Sequence, residues 1–180
     1  MKALKIILIG LASIIALVLV AAIFVDGNYA VEREVTINRS KSEVFDYIKY
    51  LRNQDEFSKW ASMDPNMKKD FRGTDGAVGF VSAWESESDD VGKGEQEIIA
   101  IVEGERIDYE LRFLEPVEST SQAYMITESA GMNQTTVKWG INGKMTYPMN
   151  LMLLFMDMEE MLGADLSEGL NNLKVKLESN

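Results

Sequence analysis

The ionisable side chains of this sequence narrow its chemistry before any fold is considered. Its 180 residues include no histidine and no cysteine. That removes the usual general base near neutral pH, the thiol nucleophile and the commonest ligands of structural zinc. Serine- and cysteine-hydrolase triads, most zinc enzymes and histidine-ligated haem are excluded. What remains is carboxylate, guanidinium and phenol. Arg33 falls on the same alternating face as Val31 and Val35, and Glu97 sits in a strand-like run. An inward Glu97 would supply an acid–base carboxylate, and a buried Arg33–carboxylate pair would shape specificity or orient a substrate carbonyl, although an arginine in such a place more often serves structure. No catalytic residue is assigned, and no cofactor or metal is called for. The acidic run ESESDD, Glu85 to Asp90, lacks the spacing and glycine of a calcium loop and reads as a solvated hairpin. Asn38 and Asn133 lie in N-x-S/T sequons, which matter only in a glycosylating host.

The second available chemistry is the recognition of apolar molecules. In MNLMLLFMDMEEML, Met149 to Leu162, five of the chain's 11 methionines gather behind a proline. Methionine is unbranched and polarizable, so it adapts to irregular guests. Met149, Met152, Phe155 and Met156 are therefore candidates for a pocket wall. Phe80, Trp84, Tyr109, Phe113, Tyr124 and Trp139 join them as ligand-binding candidates, with the tyrosine hydroxyls as polar handles. For each residue taken singly, core packing is the competing reading. Trp60 reads as a staple between small helices and the sheet.

Positioning such residues requires a frame, and the chain has room for one domain plus an appendage. After Lys2 and Lys5, Ile6 to Val25 carries no charge. Twenty helical residues span roughly 30 Å, the thickness of a bilayer's hydrocarbon core. A cleaved signal peptide has a shorter apolar core of about 7–15 residues, and Val20–Ala22 and Asn28–Ala30 are only fair cleavage sites. The expectation is an anchor over residues 1–26 and a globular domain over 27–180. The basic N-terminus places that domain on the periplasmic or extracellular side. Of the 18 basic side chains two precede residue 26, whereas all 29 acidic ones lie at or beyond it. So acidic a domain repels phosphate backbones, which excludes nucleic acid as a partner.

Within the domain, AVEREVTI (Ala30 to Ile37) alternates as a strand with Val31, Arg33, Val35 and Ile37 on one face. SKSE at Ser40–Glu43 is a capping box, followed by Val44, Phe45, Ile48 and Leu51 at helical spacing. A second short helix carries Phe57 and Trp60 before the turn at Asp64-Pro65. The period then becomes two: GFVSAW, GEQEIIAIV (apolar on both sides at Ile98–Val102), RIDYELRF, SQAYMITE and TVKWGIN read as strands, with Gly104 at a tight hairpin. Short links make them antiparallel. From Leu151 through Leu154, Phe155, Met158, Leu162, Leu166, Leu170 and Leu173 to Leu177 the apolar steps are three and four. That predicts one long amphipathic helix starting just after Pro148. Asp157, Glu159, Glu160 and Asp165 exclude it as a membrane span.

This order, with VEREVTINRSKSEVFDYI, FSKW, GFVSAW…GKGEQEI, RIDYELRF, TTVKWGING and ADLSEGLNNLKVKLE as landmarks, resembles the SRPBCC (START-like) superfamily over residues 30–178. More narrowly it is similar to the polyketide cyclase/dehydrase and lipid transport branch. The resemblance implies an α+β helix-grip fold: a curved antiparallel sheet wrapped around a long C-terminal helix, here preceded by one N-terminal transmembrane helix. It also implies a cavity between sheet and helix for a hydrophobic or lipid-like small molecule, and it carries no shared catalytic set. The leading reading is a membrane-tethered binding module. A cyclase- or dehydratase-type enzyme using the same cavity is the first rival, and a membrane-held protein-interaction adaptor is the second.

Overall fold

The computed structural model of the chain describes residues 2–88 and 91–179. Asp89 and Asp90, the end of the acidic ESESDD run, lie outside them. Its elements are α1 (Lys2–Ala22), β1 (Asn28–Ile37), α2 (Lys41–Ile48), a 3-10 helix at Leu51–Glu56, α3 (Lys59–Met63), β2 (Lys68–Arg72), β3 (Val81–Glu85), β4 (Lys93–Val102), β5 (Arg106–Glu115), β6 (Ser119–Gly131), β7 (Gln134–Lys144), a second 3-10 helix at Met149–Leu154, and α4 (Met158–Glu178). The strands make one seven-stranded sheet in the order β1-β7-β6-β5-β4-β3-β2, antiparallel throughout. It is the curved sheet of a helix-grip fold.

Alternation decides which face is dry. On β5, Ile107, Tyr109 and Leu111 are buried while Asp108, Glu110 and Arg112 face out. On β4 the predicted two-sided apolarity is not used: Ile98 is buried, but Ile99 and Val102 are exposed beyond a register shift between Ile98 and Ala100. The outer face holds an ion network instead. Arg112 binds Glu97 (2.7 Å), Glu95 (2.7 Å) and Glu110, and Arg72 reaches Glu95 as well. Burial opposes the charged form of Glu95, but Arg112 and Arg72 outweigh it and hold its carboxyl below the usual range.

At the dry face, α4 buries Leu166, Leu170 and Leu173, spaced by four and three, against β1 and β7. Two glycines let it come close. A Cβ on Gly169 would lie 2.7 Å from the Trp139 ring, and one on Gly163 would collide with the Arg33 guanidinium. α2 closes the same end with Val44, Phe45 and Ile48. Its first turn is fixed by the capping box, in which Ser40 accepts from the Glu43 N–H and Glu43 accepts from the Ser40 N–H.

Three sequence expectations change. The predicted single helix after Pro148 is two pieces. Met149–Leu154 is 3-10, and α4 starts only at Met158, because Asp157 is extended and its carboxylate caps the Glu160 N–H at 3.0 Å. The short helix expected around Phe57 and Trp60 is also two pieces, with Phe57 between them. Finally, KKDFR forms β2, an edge strand that alternation could not announce because Phe71 is its single apolar residue.

Candidate functional site

Pairing register sets the inner face of the sheet out in rows across the strands. One row runs Phe71 on β2, Ser82 on β3, Gln96 on β4, Leu111 on β5 and Ser121 on β6, and continues to Tyr29 on β1. The Tyr29 ring lies over Gly143 of β7, where no Cβ blocks it, and its hydroxyl reaches 3.5 Å from Ser121 Oγ. The next row toward the β5–β6 turn runs Lys69, Trp84, Gly94, Phe113 and Ser119. The next row inward includes Tyr109, Ala123, Ile141 and Val31. Serine and alanine in these rows leave volume that their large neighbours do not fill, whereas Gly94 and Gly143 are covered by the rings of Trp84 and Tyr29.

The result is a hollow of about 400 Å³. Its sheet wall is Ser82, Trp84, Gln96, Leu111, Phe113, Ser121, Ala123 and Ile141, with Trp139 at its base. The opposite wall is not α4, which contributes Leu162 alone, but the small helices through Leu51, Gln54, Asp55, Ser58, Trp60 and Ala61. Trp60 meets Trp139 edge-on at 5.8 Å, so it staples α3 to the sheet and lines the hollow at once. The rim is Met67, Val91, Glu115, Pro116 and Val117.

The hollow is apolar with a polar band. Gln96, Ser82 and Ser121 are buried polar residues on its sheet wall. Among the described residues, the charged pair inside the walls satisfies itself: Lys69 Nζ donates to Asp55 Oδ1 at 2.8 Å. The arrangement can therefore offer hydroxyl, amide and phenol hydrogen bonds along one edge of an otherwise apolar guest. Among the described residues no group of three or more acidic side chains is placed to hold a metal ion.

Of the ten predicted ligand-binding side chains, the hollow brings together Trp84, Phe113 and Trp139. Phe80 and Tyr109 are fully buried core. Phe80 stacks on Phe71 at 6.1 Å, and burial pushes the Tyr109 phenol far above its ordinary value. Tyr124 is on the outer face. Its ring covers Gly140 under the Arg106 guanidinium, and its hydroxyl donates to Glu32. Burial, then Glu32, pushes that phenol up to about 12. Met149, Met152, Phe155 and Met156 do not line the hollow. The first three are exposed, Phe155 at 89%, and Met156 lies in a shallow groove beside Tyr29. They are displaced because α4 begins after them.

The two charged candidates sit in separate structural ion pairs. Glu97 points outward to Arg112. Arg33 donates to the Glu159 carboxylate at 2.5 Å and to its carbonyl at 2.9 Å, tying β1 to α4 away from the hollow. Sequence reasoning missed Tyr29, Ser82, Gln96, Leu111 and Ser121. For Ser82, Gln96 and Ser121 the readable signal was smallness or polarity on strand faces otherwise apolar.

Comparison with known proteins agrees with this geometry. A family model described as polyketide cyclase / dehydrase and lipid transport matches residues 29–178. No functionally curated protein matches the sequence. Among solved structures, a protein from Nitrosospira multiformis is similar at 18% identity, covering 82% of this chain and 95% of its own, with a TM-score of 0.56. Norcoclaurine synthase from Thalictrum flavum, in complex with dopamine and hydroxybenzaldehyde, is similar at 10% identity, 86% and 90% coverage and a TM-score of 0.62. The di-domain ARO/CYC protein of the steffimycin biosynthetic pathway gives 8%, 86% and 52%, with a TM-score of 0.65. At these identities the likeness is one of fold. The chain belongs to the polyketide cyclase / dehydrase and lipid transport family.

Proposed function

We propose that the protein is a membrane-anchored binding domain that holds a hydrophobic or lipid-like small molecule in the hollow beside Trp139. The hollow itself carries this reading: about 400 Å³ of mostly apolar space crossed by Ser82, Gln96, Ser121 and Tyr29. That volume lies in the range of roughly 300–1,000 Å³ typical of small-molecule sites. With Lys69 and Asp55 already paired, the chemistry favours an uncharged guest with carbonyl or hydroxyl groups along one edge. Residues 1–26 act as the anchor and residues 27–180 as the binding domain on the periplasmic or extracellular side. Support for the anchor is that α1 is long and apolar enough to cross a membrane, with 21 residues and none of its apolar window buried by the domain.

A second reading is favoured by the Tyr29 hydroxyl and the Lys69–Asp55 pair facing the same space. A cyclase- or dehydratase-type enzyme can work by folding a reactive chain in a shaped pocket. Two of the structural relatives are a synthase and an ARO/CYC protein by description.

The test is a titration of the full chain, reconstituted in phosphatidylcholine nanodiscs, with the uncharged probe N-phenyl-1-naphthylamine, the emission of protein-free nanodiscs being subtracted. Saturable emission that is lost in Ala123→Trp and reduced in Ser121→Leu is expected, with near-ultraviolet dichroism confirming that both variants are folded. Identical titrations of wild type and folded variants overturn binding in the hollow. Recovery of a chemically altered guest, abolished by Tyr29→Phe or Lys69→Met, favours the enzyme over the carrier.

A further inference from the structure

The methionine-rich stretch that does not line the hollow has a place of its own. The 3-10 helix Met149–Leu154 packs beside the end of α1. Asn150, itself buried, donates from its side-chain amide to the carbonyls of Ala22 and Val25, both at 2.7 Å. Ala22 is the last residue of α1, where helix carbonyls run out of intrahelical partners, and Val25 follows three residues on, its own N–H reaching the Ala22 carbonyl at 3.4 Å. Gly27 is held against the Met145 carbonyl and Asn150, where a Cβ would not fit. The link from α1 to β1 and the link from β7 to the 3-10 helix are thus fastened together.

Around this fastening the apolar side chains of Tyr147, Met149, Met152, Leu154 and Phe155 are exposed, as is that of Phe24 just beyond α1. Strand polarity brings the hollow's rim to the same end. β1 begins there at Asn28 opposite the last residue of β7, and β5 ends there before the turn that carries Pro116 and Val117. Val117 is 63% exposed.

We infer that Tyr147–Phe155 lies in the headgroup layer of the bilayer that α1 crosses, seating the rim of the hollow, with Val117, against the membrane surface. The inference rests on the reading of α1 as a span. A helix of 21 residues is used up in crossing the hydrocarbon core. Its last turn therefore emerges at the interface, and so does whatever is hydrogen-bonded to that turn. Tyrosine and apolar side chains suit this depth, an interfacial segment sinking its apolar face roughly 5–10 Å. Charge does not recruit it, because Asp26, Asp157, Glu159 and Glu160 flank the patch. Zwitterionic lipid is the matching partner and anionic lipid an unfavourable one. A guest then exchanges between bilayer and hollow without crossing water.

The chain has no cysteine, so single labels are unambiguous. The full chain is reconstituted in phosphatidylcholine vesicles carrying shallow nitroxide lipids, or mid-chain nitroxide lipids for the Leu11 label, with an environment-sensitive fluorophore at Phe155→Cys, Val117→Cys, Leu11→Cys or Met132→Cys. Met132 is a fully exposed residue in the β6–β7 turn at the far end of the sheet. Expected is loss of most emission at Phe155 and a clear loss at Val117, with none at Met132. Quenching at Leu11 but not at Phe155 overturns the inference and leaves the anchor standing. Loss at neither removes the anchor reading together with the inference. Quenching at Phe155 without Val117 overturns the seating of the rim. Shielding of the Phe155 label that follows protein density rather than nitroxide content assigns the patch to a second copy of the chain and overturns the membrane contact.

Discussion

The two ends of one sheet contrast in a single variable, the size of the inward side chains. Toward the β6–β7 turn, Ile107, Met125 and Val137 join Leu166, Leu170 and Leu173 of α4 and Phe45 of α2 in one buried cluster. Toward the β5–β6 turn, Ser119, Ser121 and Ala123 hold the same kind of positions, and α4 delivers only Leu162. Backbone and topology are shared, so the hollow is not a property of the fold's outline. Small residues on the wall and a late helix start create it.

The largest test of this contrast is deletion of carbon from each end. Leu170→Ala empties space in a filled region (Leu170 is 1% exposed) and is expected to cost about 2–5 kcal/mol. Leu111→Ala enlarges a space that already exists, so its cavity cost is smaller and its penalty should be less than half as large. Urea unfolding of the full chain in micelles, followed by far-ultraviolet dichroism, measures both. Equal penalties would mean that the hollow end is as tightly packed as the other.

Addition of carbon is the next test and should reverse the sign. Gly169→Ala gains roughly 1 kcal/mol of helix propensity, but its methyl meets the Trp139 ring at 2.7 Å. Trp139 is held by Phe57 and Trp60 edge contacts at 5.7 and 5.8 Å, so the ring can give way only by losing them. Overpacking of this kind costs about 1–3 kcal/mol, so the clash wins and the variant is destabilised. Ala123→Leu adds three carbons facing the hollow and should be neutral or stabilising while excluding the guest. A melting-temperature drop for Ala123→Leu as large as that for Gly169→Ala would erase the distinction.

The same contrast explains what could be read from the sequence. The packed end was legible because large alternating residues announce themselves. Ile107 and Tyr109, the Ser40–Glu43 box, and Leu166, Leu170 and Leu173 all fall where their spacing placed them. The hollow was illegible to a search for large aromatics. In SQAYMITE, size draws the eye to Tyr124, yet the inward residues are Ser121, Ala123, Met125 and Thr127. A cavity is written as small side chains on an inner face. The break in the final helix was also written, as Asp157 three residues before Glu160. The i, i+3 spacing of a 3-10 helix imitates the α period closely enough to hide it. β2 escaped because an edge strand of Lys68, Lys69, Asp70 and Arg72 is stabilised by charge, Lys69 to Asp55 and Arg72 to Glu95, rather than by alternation.

The smallest expected effect separates how the two ends respond to acid. At the hollow end Asp64, between α3 and β2, accepts from the Ser86 hydroxyl, and Ser86 Oγ in turn accepts from the Ser88 N–H at 3.0 Å. This chain pins together the two loops that carry the rim residues Met67 and Val91. The Ser86 hydrogen bond, followed by that from the Asn66 N–H, holds the Asp64 carboxyl below its ordinary value. A lowered folded-state value means the stabilisation is complete above the unfolded value of about 3.9 and is lost as pH falls through the folded one. At the packed end the carboxyl of Glu43 is lowered too, chiefly by Ser40, but its partners belong to its own helix. Protonation there frays one turn and leaves the apolar contacts untouched. The Ser88 amide shift, followed by NMR from pH 6 downward, should therefore move with a midpoint below the ordinary carboxylate range, while the amides of Met125 and Leu170 stay still. Asp64→Asn should abolish that step. A midpoint at or above the ordinary value, or movement of the Leu170 amide in the same step, would show that rim and core do not come apart in acid.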